Sequence, residues 1–203
     1  MLPLKDLNPT RTTPVVNYLI IALNVLAFFW ELSLGDKLQP VMMNIGFIPA
    51  RFWMPGYFVP NVLTIFISMF LHGGFLHVAG NMLYLWIFGD NVEDRMGHVA
   101  FLLFYLASGV AAAAVHVAVG PWSPVPTVGA SGAIAGVLGA YAVLYPRARV
   151  VTLVPVVFFI QIVALPALLV LGFWFVVQFF TGALTLGGGG GGVGLRRRPD
   201  SAG

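Results

Sequence analysis

The amino-acid sequence predicts an all-α, polytopic membrane protein, folded as a bundle of five membrane-spanning helices. Hydrophobic residues occupy 59% of its 203 positions and charged residues only 8%, so the chain cannot assemble the polar surface of a soluble globule. Long apolar runs alternate with segments rich in proline, glycine or charge, as membrane helices alternate with their connections. The lipid bilayer is therefore the first partner that the sequence predicts.

A short polar leader at residues 1–14 precedes the first predicted span, which runs over about residues 15–34. Asn17, Asn24 and Glu31 recur in this span at intervals of seven, which places them on nearly one helical face. Polar side chains are costly in lipid. We therefore expect this face to turn toward the protein interior.

The second and third spans follow a long connection. Residues 35–60 are rich in aromatic side chains, prolines and glycines, which is typical of a loop lying in the membrane interface. Residues 61–75 are apolar but end in two adjacent glycines, and we expect them to complete this loop. The second span is predicted over about residues 76–88 and the third over residues 99–119.

The fourth span is short and begins near Ser131. Residues 131–145 carry no charge, and Pro146, Arg147 and Arg149 follow them, as proline and basic residues do after a membrane helix. About fifteen helical residues cover roughly 22 Å of a hydrocarbon core about 30 Å thick. A helix anchored by arginines at one membrane face therefore begins below the other face. The sequence thus predicts that Ser131 lies inside the membrane.

The last part of the chain contains the fifth predicted span, at about residues 166–184. The apolar segment before it, residues 150–165, includes a proline and a glutamine, so we expect a loop or a re-entrant segment. Residues 187–203 form a glycine-rich, basic tail, and six consecutive glycines do not support a helix interior. The membrane domain is accordingly predicted over residues 15–186.

Basic residues in the connections predict the orientation of the bundle. If successive spans cross the membrane in alternating directions, five basic residues lie on one side, namely Lys5, Arg11, Arg95, Arg147 and Arg149. Two basic residues, Lys37 and Arg51, lie on the other side. The excess marks the first side as cytoplasmic and places the leader there. The net charge of +3 arises largely from three arginines in the tail and does not indicate nucleic acid as a partner.

The small residues around Ser131 allow two interpretations. Glycines and alanines recur at a spacing of four through the fourth span, which favours a seam where two membrane helices approach closely. Alternatively, Ser131 is a nucleophile, placed where the free N–H groups of a helix N-terminus stabilise an oxyanion. On this segment alone we favour packing.

His77 and Asn81 change that balance. They lie four residues apart in the second span, hence on one face and about one turn apart. Both can donate hydrogen bonds toward a common point, as an oxyanion hole requires. The alternative is a pair of hydrogen bonds that fasten neighbouring helices. We expect His72, five residues before His77, to fix a loop or to lie in the interface.

Three segments carry a resemblance to a known family. Residues 71–82 read LHGGFLHVAGNM, residues 89–97 read GDNVEDRMG and residues 129–132 read GASG. In this order they resemble the rhomboid intramembrane serine proteases of bacteria, and the likeness extends over about residues 56–186.

The resemblance implies a six-helix membrane core and the cleavage of transmembrane segments of other proteins. It implies Ser131 as the nucleophile, with an oxyanion hole formed by His77, Asn81 and the backbone N–H of Ser131. It also implies that Glu93 and Arg95 brace the loop structure at the second helix. A bacterial plasma membrane is the location that the family suggests.

The sequence departs from this family after the fourth span. The resemblance implies a histidine base on a sixth helix, but the four histidines are His72, His77, His98 and His116, and none follows Ser131. We therefore expect five helices with the sixth missing, through truncation or a shifted reading frame. Without a base a serine hydroxyl is a poor nucleophile, so we expect little or no activity. His116, near the outer end of the third span, is the one histidine placed to substitute.

Two functions of different classes remain open. The first is an intramembrane serine endopeptidase by descent. The second is a non-catalytic rhomboid-like protein that binds membrane clients without cutting them. The joint presence of Ser131, His77 and Asn81 favours the first, because binding alone has no chemical need for all three. We expect no metal and no cofactor, and the sequence does not predict an oligomeric state.

Overall fold

The computed structural model describes residues 1–156 and 159–188 and arranges most of them in seven α-helices. The helices are α1 (Val15–Ser33), α2 (Leu38–Ile45), α3 (Phe58–Ser68), α4 (Phe75–Met96), α5 (His98–Val119), α6 (Ser131–Leu144) and α7 (Ala167–Gly188). Three strands accompany them: β1 (Leu2–Asp6), β2 (Arg149–Val156) and β3 (Phe159–Pro166). The predicted tail lies, from residue 189 onward, outside the described residues.

The core of the protein lies between α4 and α6. Leu85 and Phe88 of α4 and Ile134, Leu138 and Tyr141 of α6 are all completely buried. The helix α4 also packs against α1 and α5, and α6 packs against α5 and α7. The two helices that carry the predicted site residues are therefore the most enclosed elements of the bundle.

The polar face of α1 turns inward, as predicted. Asn17 and Asn24 are fully buried and Glu31 is 1% exposed. Asn17 donates through Nδ2 to the carbonyl of Leu85 at 3.0 Å, and Asn24 donates to the carbonyl of Ile20 at 2.7 Å. Each bond satisfies the amide nitrogen of a buried side chain, while Asn17 Oδ1 and Asn24 Oδ1 have no hydrogen-bond partner among the described residues.

The connection at residues 35–75 is more helical than predicted. It contains α2 and α3, so the expectation of a loop in the membrane interface did not anticipate these two helices. At eleven residues, α3 is long enough for only about 16 Å, which is roughly half of a hydrocarbon core. Asn61, buried within α3, donates to the carbonyl of Ile48 at 3.1 Å and so ties this helix to the turn before it.

The segment expected to be a loop or re-entrant element is instead part of a β-sheet. The strands β2 and β3 pair antiparallel from Arg149↔Pro166 to Val156↔Phe159, and β1 pairs with the other edge of β2. The all-α expectation was therefore wrong here, and the predicted leader is part of the sheet. Val, Ile and Phe favour strands, but a short apolar run has no periodicity that separates a strand from a buried helix.

The described helices differ in their fitness to cross a membrane. By length and composition, α1 and α5 can do so, with mean hydropathies of 1.8 and 2.0. The helices α3 and α6 are apolar but shorter, as is the described start of α7 at Ala167–Phe180. The fourth predicted span is confirmed as a helix that begins at Ser131.

Small residues bring α5 and α6 into close contact. A side chain added at Gly132 would place its Cβ 2.5 Å from Cβ of Ala112, and one added at Gly136 would meet Oγ of Ser108 at 2.2 Å. Nothing lies within 4 Å of the same position at Gly139. The predicted seam is therefore present at two of its glycines and absent at the third.

Candidate active site

The site begins at the N-terminus of α6. Gly129 has φ +128°, a conformation that a residue with a side chain rarely adopts, and Ser131 opens the helix two residues later. Within the helix the first backbone bond runs from Ile134 N–H to the carbonyl of Ala130 at 2.9 Å. The N–H groups of Ser131 and its two successors therefore have no backbone partner among the described residues, and they give this end of α6 its partial positive charge.

Main-chain hydrogen bonds to the connection between α1 and α4 hold Gly129 and the residues before it in place. The backbone N–H of Gly129 donates to the carbonyl of Ser68, the last residue of α3, at 2.9 Å. Two residues earlier, Thr127 N–H donates to the carbonyl of Phe47 at 2.7 Å. The segment before the serine is thus fixed by main-chain bonds to the connection between α1 and α4.

His77 approaches the serine across Gly129. A Cβ at Gly129 would lie 2.7 Å from Cε1 and 3.0 Å from Nε2 of His77, and 3.7 Å from Oγ of Ser131. The imidazole of His77 and the hydroxyl of Ser131 therefore both lie within 4 Å of the position that a Cβ would occupy at residue 129. Glycine has no Cβ and leaves this position empty. Ser131 Oγ makes no hydrogen bond to the described part of the chain, so the hydroxyl is available to another group.

Ser131 and His77 both line a cavity of about 620 Å³. Its wall combines the end of α3, the first turns of α4 and α6, the C-terminal half of α5 and one face of α7, which includes Trp174. Small side chains of α5 and α6 form much of the surface, and these are mainly apolar. A pocket of this size, largely apolar with a few polar groups, is the usual form of a binding site.

Asn81 is not among the residues that line the cavity, and its side-chain amide has a partner within the chain. It is 1% exposed, and its Nδ2 donates to Nε2 of His72 at 3.1 Å. Nδ1 of His72 and Oδ1 of Asn81 are buried and have no hydrogen-bond partner among the described residues. The structure therefore brings Ser131 and His77 together and pairs Asn81 with His72.

His72 is a residue whose position sequence reasoning did not foresee. It is 2% exposed, and its backbone N–H donates to the Glu31 carboxylate at 2.9 and 3.2 Å. Its ring contacts that of His77 edge to face, with centroids 5.2 Å apart. Glu31 was a signal for this arrangement, since a carboxylate on the inner face of a membrane helix requires a buried donor.

The remaining histidines occupy different surroundings. His116 lines the same cavity as Ser131, and its Nε2 is 2.9 Å from Oγ1 of Thr127. His98 lies at the start of α5, where its Nδ1 bonds to the Glu93 carboxylate. Only His77 and His116 therefore lie at the serine cavity within the described residues.

The connection between α1 and α4 reaches the loop that precedes Ser131. Trp53 Nε1 donates to the carbonyl of Pro121 at 2.9 Å, and its ring packs 5.6 Å from that of Trp122. Arg51 donates to the carbonyls of Met43 and Asn44 at 2.5 and 3.2 Å, at the end of α2. Both side chains stabilise the connection and lie away from the serine.

The fold and the site together define a helical membrane protein with a serine and an imidazole at an internal cavity. The family model described as the Rhomboid domain matches residues 60–193 of this sequence. The chain belongs to the rhomboid family.

Several curated relatives are similar to the chain. Rhomboid protease GluP of Bacillus subtilis is 38% identical over 128 residues, which are 63% of this chain and 24% of the relative. Presenilin-associated rhomboid-like protein A, mitochondrial, of Danio rerio is 32% identical over 192 residues, covering 83% of this chain and 50% of the relative. Rhomboid protein 1, mitochondrial, of Saccharomyces cerevisiae is 29% identical over 146 residues, covering 68% of this chain and 38% of the relative.

The chain thus spans half or less of the length of these curated relatives. No solved structure gives a significant match. Relatives occur in a bacterium and in mitochondria, so family membership establishes a membrane protein and leaves its membrane to be proposed.

Proposed function

We propose that this chain is a rhomboid-type intramembrane serine endopeptidase with Ser131 as its nucleophile. One observation carries the proposal: the Ser131 hydroxyl and the His77 imidazole meet at one apolar cavity inside the helical domain. Packing alone explains the small residues of α6 but not a hydroxyl without a partner beside a histidine. The position of Ser131 at a helix N-terminus adds the electrostatic contribution that acyl transfer requires.

The chemistry follows from these positions. Ser131 Oγ forms a bond to the peptide carbonyl carbon, the carbonyl oxygen gains negative charge, and the serine proton passes to a base, for which His116 is the other histidine at the cavity. The C–N bond then breaks, the amine leaves with that proton, and water hydrolyses the resulting ester to restore the serine. The free N–H groups at the start of α6 and a donor nitrogen of His77 stabilise the charge on the carbonyl oxygen. We keep Asn81 as a proposed member of the oxyanion hole. In that role its amide has to break its hydrogen bond to His72 and donate to the substrate oxygen instead.

The proposed substrates are transmembrane segments of other proteins. A carbonyl in an intact helix is already bonded, so the segment has to unwind before the carbonyl reaches Ser131. Small or helix-breaking residues near the scissile bond favour that unwinding.

The location of the protein is also a proposal: the bacterial plasma membrane, crossed five times, with the N-terminus in the cytoplasm. The pairing of β1 with β2 supports this orientation, since it brings the N-terminal residues beside the segment that follows α6. Asp94, near the end of α4, accepts from the backbone N–H of Thr12 at 2.8 Å. Three segments predicted on the cytoplasmic side therefore meet at one end of the bundle.

A covalent probe tests the nucleophile separately from cleavage. The 203-residue chain, reconstituted in lipid vesicles, is treated with a fluorophosphonate, which reacts with activated serines. We expect slow labelling that Ser131→Ala reduces about tenfold or more, because the probe needs an activated hydroxyl. Ser123→Ala, which alters a loop serine, is the matched control and should label as the parent chain does. Equal labelling of the Ser131→Ala variant would contradict the proposal.

Cleavage is tested with a model transmembrane substrate in the same vesicles. We expect almost no product from a polypeptide of these 203 residues, because none of its four histidines follows Ser131 and the serine lacks the base that the family supplies. Robust cleavage that Ser131→Ala abolishes would support the nucleophile and overturn the expected inactivity.

The second candidate function is the binding of membrane clients without cleavage, which the mainly apolar cavity beside Ser131 would also suit. Pull-down of the model substrate by the parent chain and by Ser131→Ala distinguishes the two functions. Equal capture, together with no probe labelling at Ser131, would favour binding.

A further inference from the structure

We propose that the outer part of the β-sheet lies in the lipid interface of the membrane and anchors the bundle on its cytoplasmic side. The relevant surface, called here the apolar sheet surface, consists of Leu2, Leu153, Ile160 and Ile162 on one face, with Phe159 at the end of β3.

The register places these side chains together. Leu153 pairs with both Leu2 and Ile162, so the three residues form a row across β1, β2 and β3. Ile160 lies two residues from Ile162 and therefore on the same face. The opposite face is directed toward the helices near the base of the hairpin, where Val150 and Thr152 are fully buried.

The apolar sheet surface exposes large apolar side chains, which is unfavourable in water. Ile160, Ile162 and Phe159 are 68%, 65% and 74% exposed, and Leu2 is 48% exposed. An antiparallel sheet with one face in water normally carries polar side chains on that face. After Arg149, the two strands of the hairpin contain two polar residues, Thr152 and Gln161. Neither lies on the face of Ile162, and Thr152 is fully buried on the opposite face. A medium other than water must cover the apolar sheet surface.

Lipid is the occupant that the surroundings favour. No charged residue occurs from Val150 to Gly188, so the hairpin continues without interruption into α7, whose residues Leu168, Val176 and Phe179 also face outward. The hairpin begins at Arg149, shortly after α6 ends, which is the end of the bundle that the proposed orientation places at the cytoplasmic membrane surface. The apolar sheet surface is thus followed directly in the chain by the outward-facing apolar side chains of α7, which the proposed fifth span places in lipid.

Basic residues mark the edge of this surface. Lys5 pairs with Val151 and Arg149 pairs with Pro166, which places both on the same face as Ile162 but near the base of the hairpin. Their long side chains can reach lipid phosphates while the apolar side chains contact acyl chains. This division is typical of a segment that lies in the interface and binds anionic lipid.

The free edge of β3 limits how deep the sheet inserts. The described sheet has the order β1-β2-β3, so the outer edge of β3 presents backbone N–H and C=O groups without strand partners. Such groups are not tolerated in the hydrocarbon core, where no water can bond to them. The sheet therefore lies among the headgroups and the first carbons of the acyl chains.

Site-specific fluorescence tests the inference, and the absence of cysteine from the chain makes single labels possible. Ile162→Cys is labelled with an environment-sensitive fluorophore in vesicles that contain phosphatidylglycerol. The controls are Leu103→Cys on α5, which is 62% exposed and expected in the hydrocarbon core, and Lys37→Cys in an exposed turn on the other side. Ile160→Cys provides a second label if the first impairs folding.

We expect iodide in the water to quench the Ile162→Cys label several-fold less than the Lys37→Cys label. A lipid nitroxide near the headgroups should quench it more than one at the bilayer centre. The Leu103→Cys label lies about 8 Å from the middle of α5, so the central nitroxide should quench it more strongly than it quenches the Ile162→Cys label. Iodide quenching equal to that of Lys37→Cys would overturn the inference. Protection from every quencher, with energy transfer between labelled chains, would also overturn it and assign the surface to a second copy. The readout does not depend on catalysis, so it is separate from the test of Ser131.

Discussion

Glu93 illustrates how one carboxylate near the end of α4 stabilises the start of another helix. Its side chain is 1% exposed, and its two oxygens accept from the backbone N–H groups of Val16 at 3.0 Å and Asn17 at 2.6 Å. These are among the N–H groups that the first turn of α1 leaves without a partner. The negative charge also complements the positive end of the helix dipole. The family resemblance implied that this residue braces a loop at the second helix, whereas the contacts described here are with the first turn of α1.

Replacing Glu93 by alanine should therefore weaken the bundle. The change leaves two buried N–H groups without an acceptor, and we expect the free energy of unfolding to fall by about 2–3 kcal/mol. Reversible unfolding in mixed detergent micelles measures the difference. Glu93→Gln keeps one acceptor oxygen and should lose less. A Glu93→Ala variant as stable as the parent chain would show that the N-terminus of α1 needs no cap.

At the residue scale the sequence predicted positions better than partners. The location of Ser131 followed from the proline and arginines that end its helix, and the inward face of α1 followed from a spacing of seven. The spacing of His77 and Asn81 fixes the side of α4 on which they lie but not what meets them. Asn81 binds His72 because a loop that has no periodicity returns His72 to the core.

At the scale of elements, the contact between α5 and α6 depends on where glycine is required. Gly136 faces Ser108 so closely that an added Cβ has no room, whereas Gly139, three residues further along the same helix, has open space. A sequence pattern of small residues at a spacing of four cannot distinguish these two glycines. The structure can, because one faces α5 and the other does not.

The two glycines provide a matched pair of substitutions. Gly136→Ala should push α5 and α6 apart and lower the free energy of unfolding by about 1–3 kcal/mol, the usual effect of overpacking. Gly139→Ala should be neutral or stabilising by about 0.5–1 kcal/mol, because alanine favours a helix more than glycine does. Unfolding in detergent micelles compares the two. Equal effects of both substitutions would mean that the seam does not hold these helices together.

The β-hairpin was the element that the sequence concealed. Its strands consist of apolar residues on both faces, so the alternation that usually reveals a strand is missing, and its length matches a buried helix equally well. The pairing of β1 with β2 was equally hidden, since more than 140 residues separate the two strands in the chain. Such contacts follow from the packing of the whole bundle and not from local preference.

At the scale of the whole molecule, the N-terminal strand connects the two central helices at the end opposite to the serine. Asp6 of β1 accepts through Oδ2 from Tyr141 Oη of α6 at 2.8 Å and from Asn91 Nδ2 of α4 at 2.9 Å. Asn8 donates to the same Tyr141 oxygen at 2.7 Å. Because α4 carries His77 and α6 carries Ser131, the N-terminal segment helps to fix the relative position of the helices that form the site.

This contact should make stability depend on pH. Burial raises the pKa of Asp6 above its ordinary value of 3.8, although the hydrogen bonds from Tyr141 and Asn8 oppose the shift. The folded state therefore holds the proton more tightly than the unfolded chain does. Stability should accordingly fall as the pH rises from 3.8 through the raised pKa, as the folded carboxyl loses its proton.

Asp6→Asn should remove this contribution, because asparagine accepts the same hydrogen bonds and does not titrate. We expect the free energy of unfolding of the variant to decline less across this interval than that of the parent chain. The measurement is unfolding in detergent micelles at a series of pH values, with the exposed Asp36→Asn as the control that keeps the parent slope. If the Asp6→Asn variant showed the same pH dependence of stability as the parent chain, protonation of Asp6 would not affect the free energy of unfolding. The stability of the variant at neutral pH, where the parent carboxylate is charged, should equal or exceed that of the parent, since the cost of burying that charge is gone.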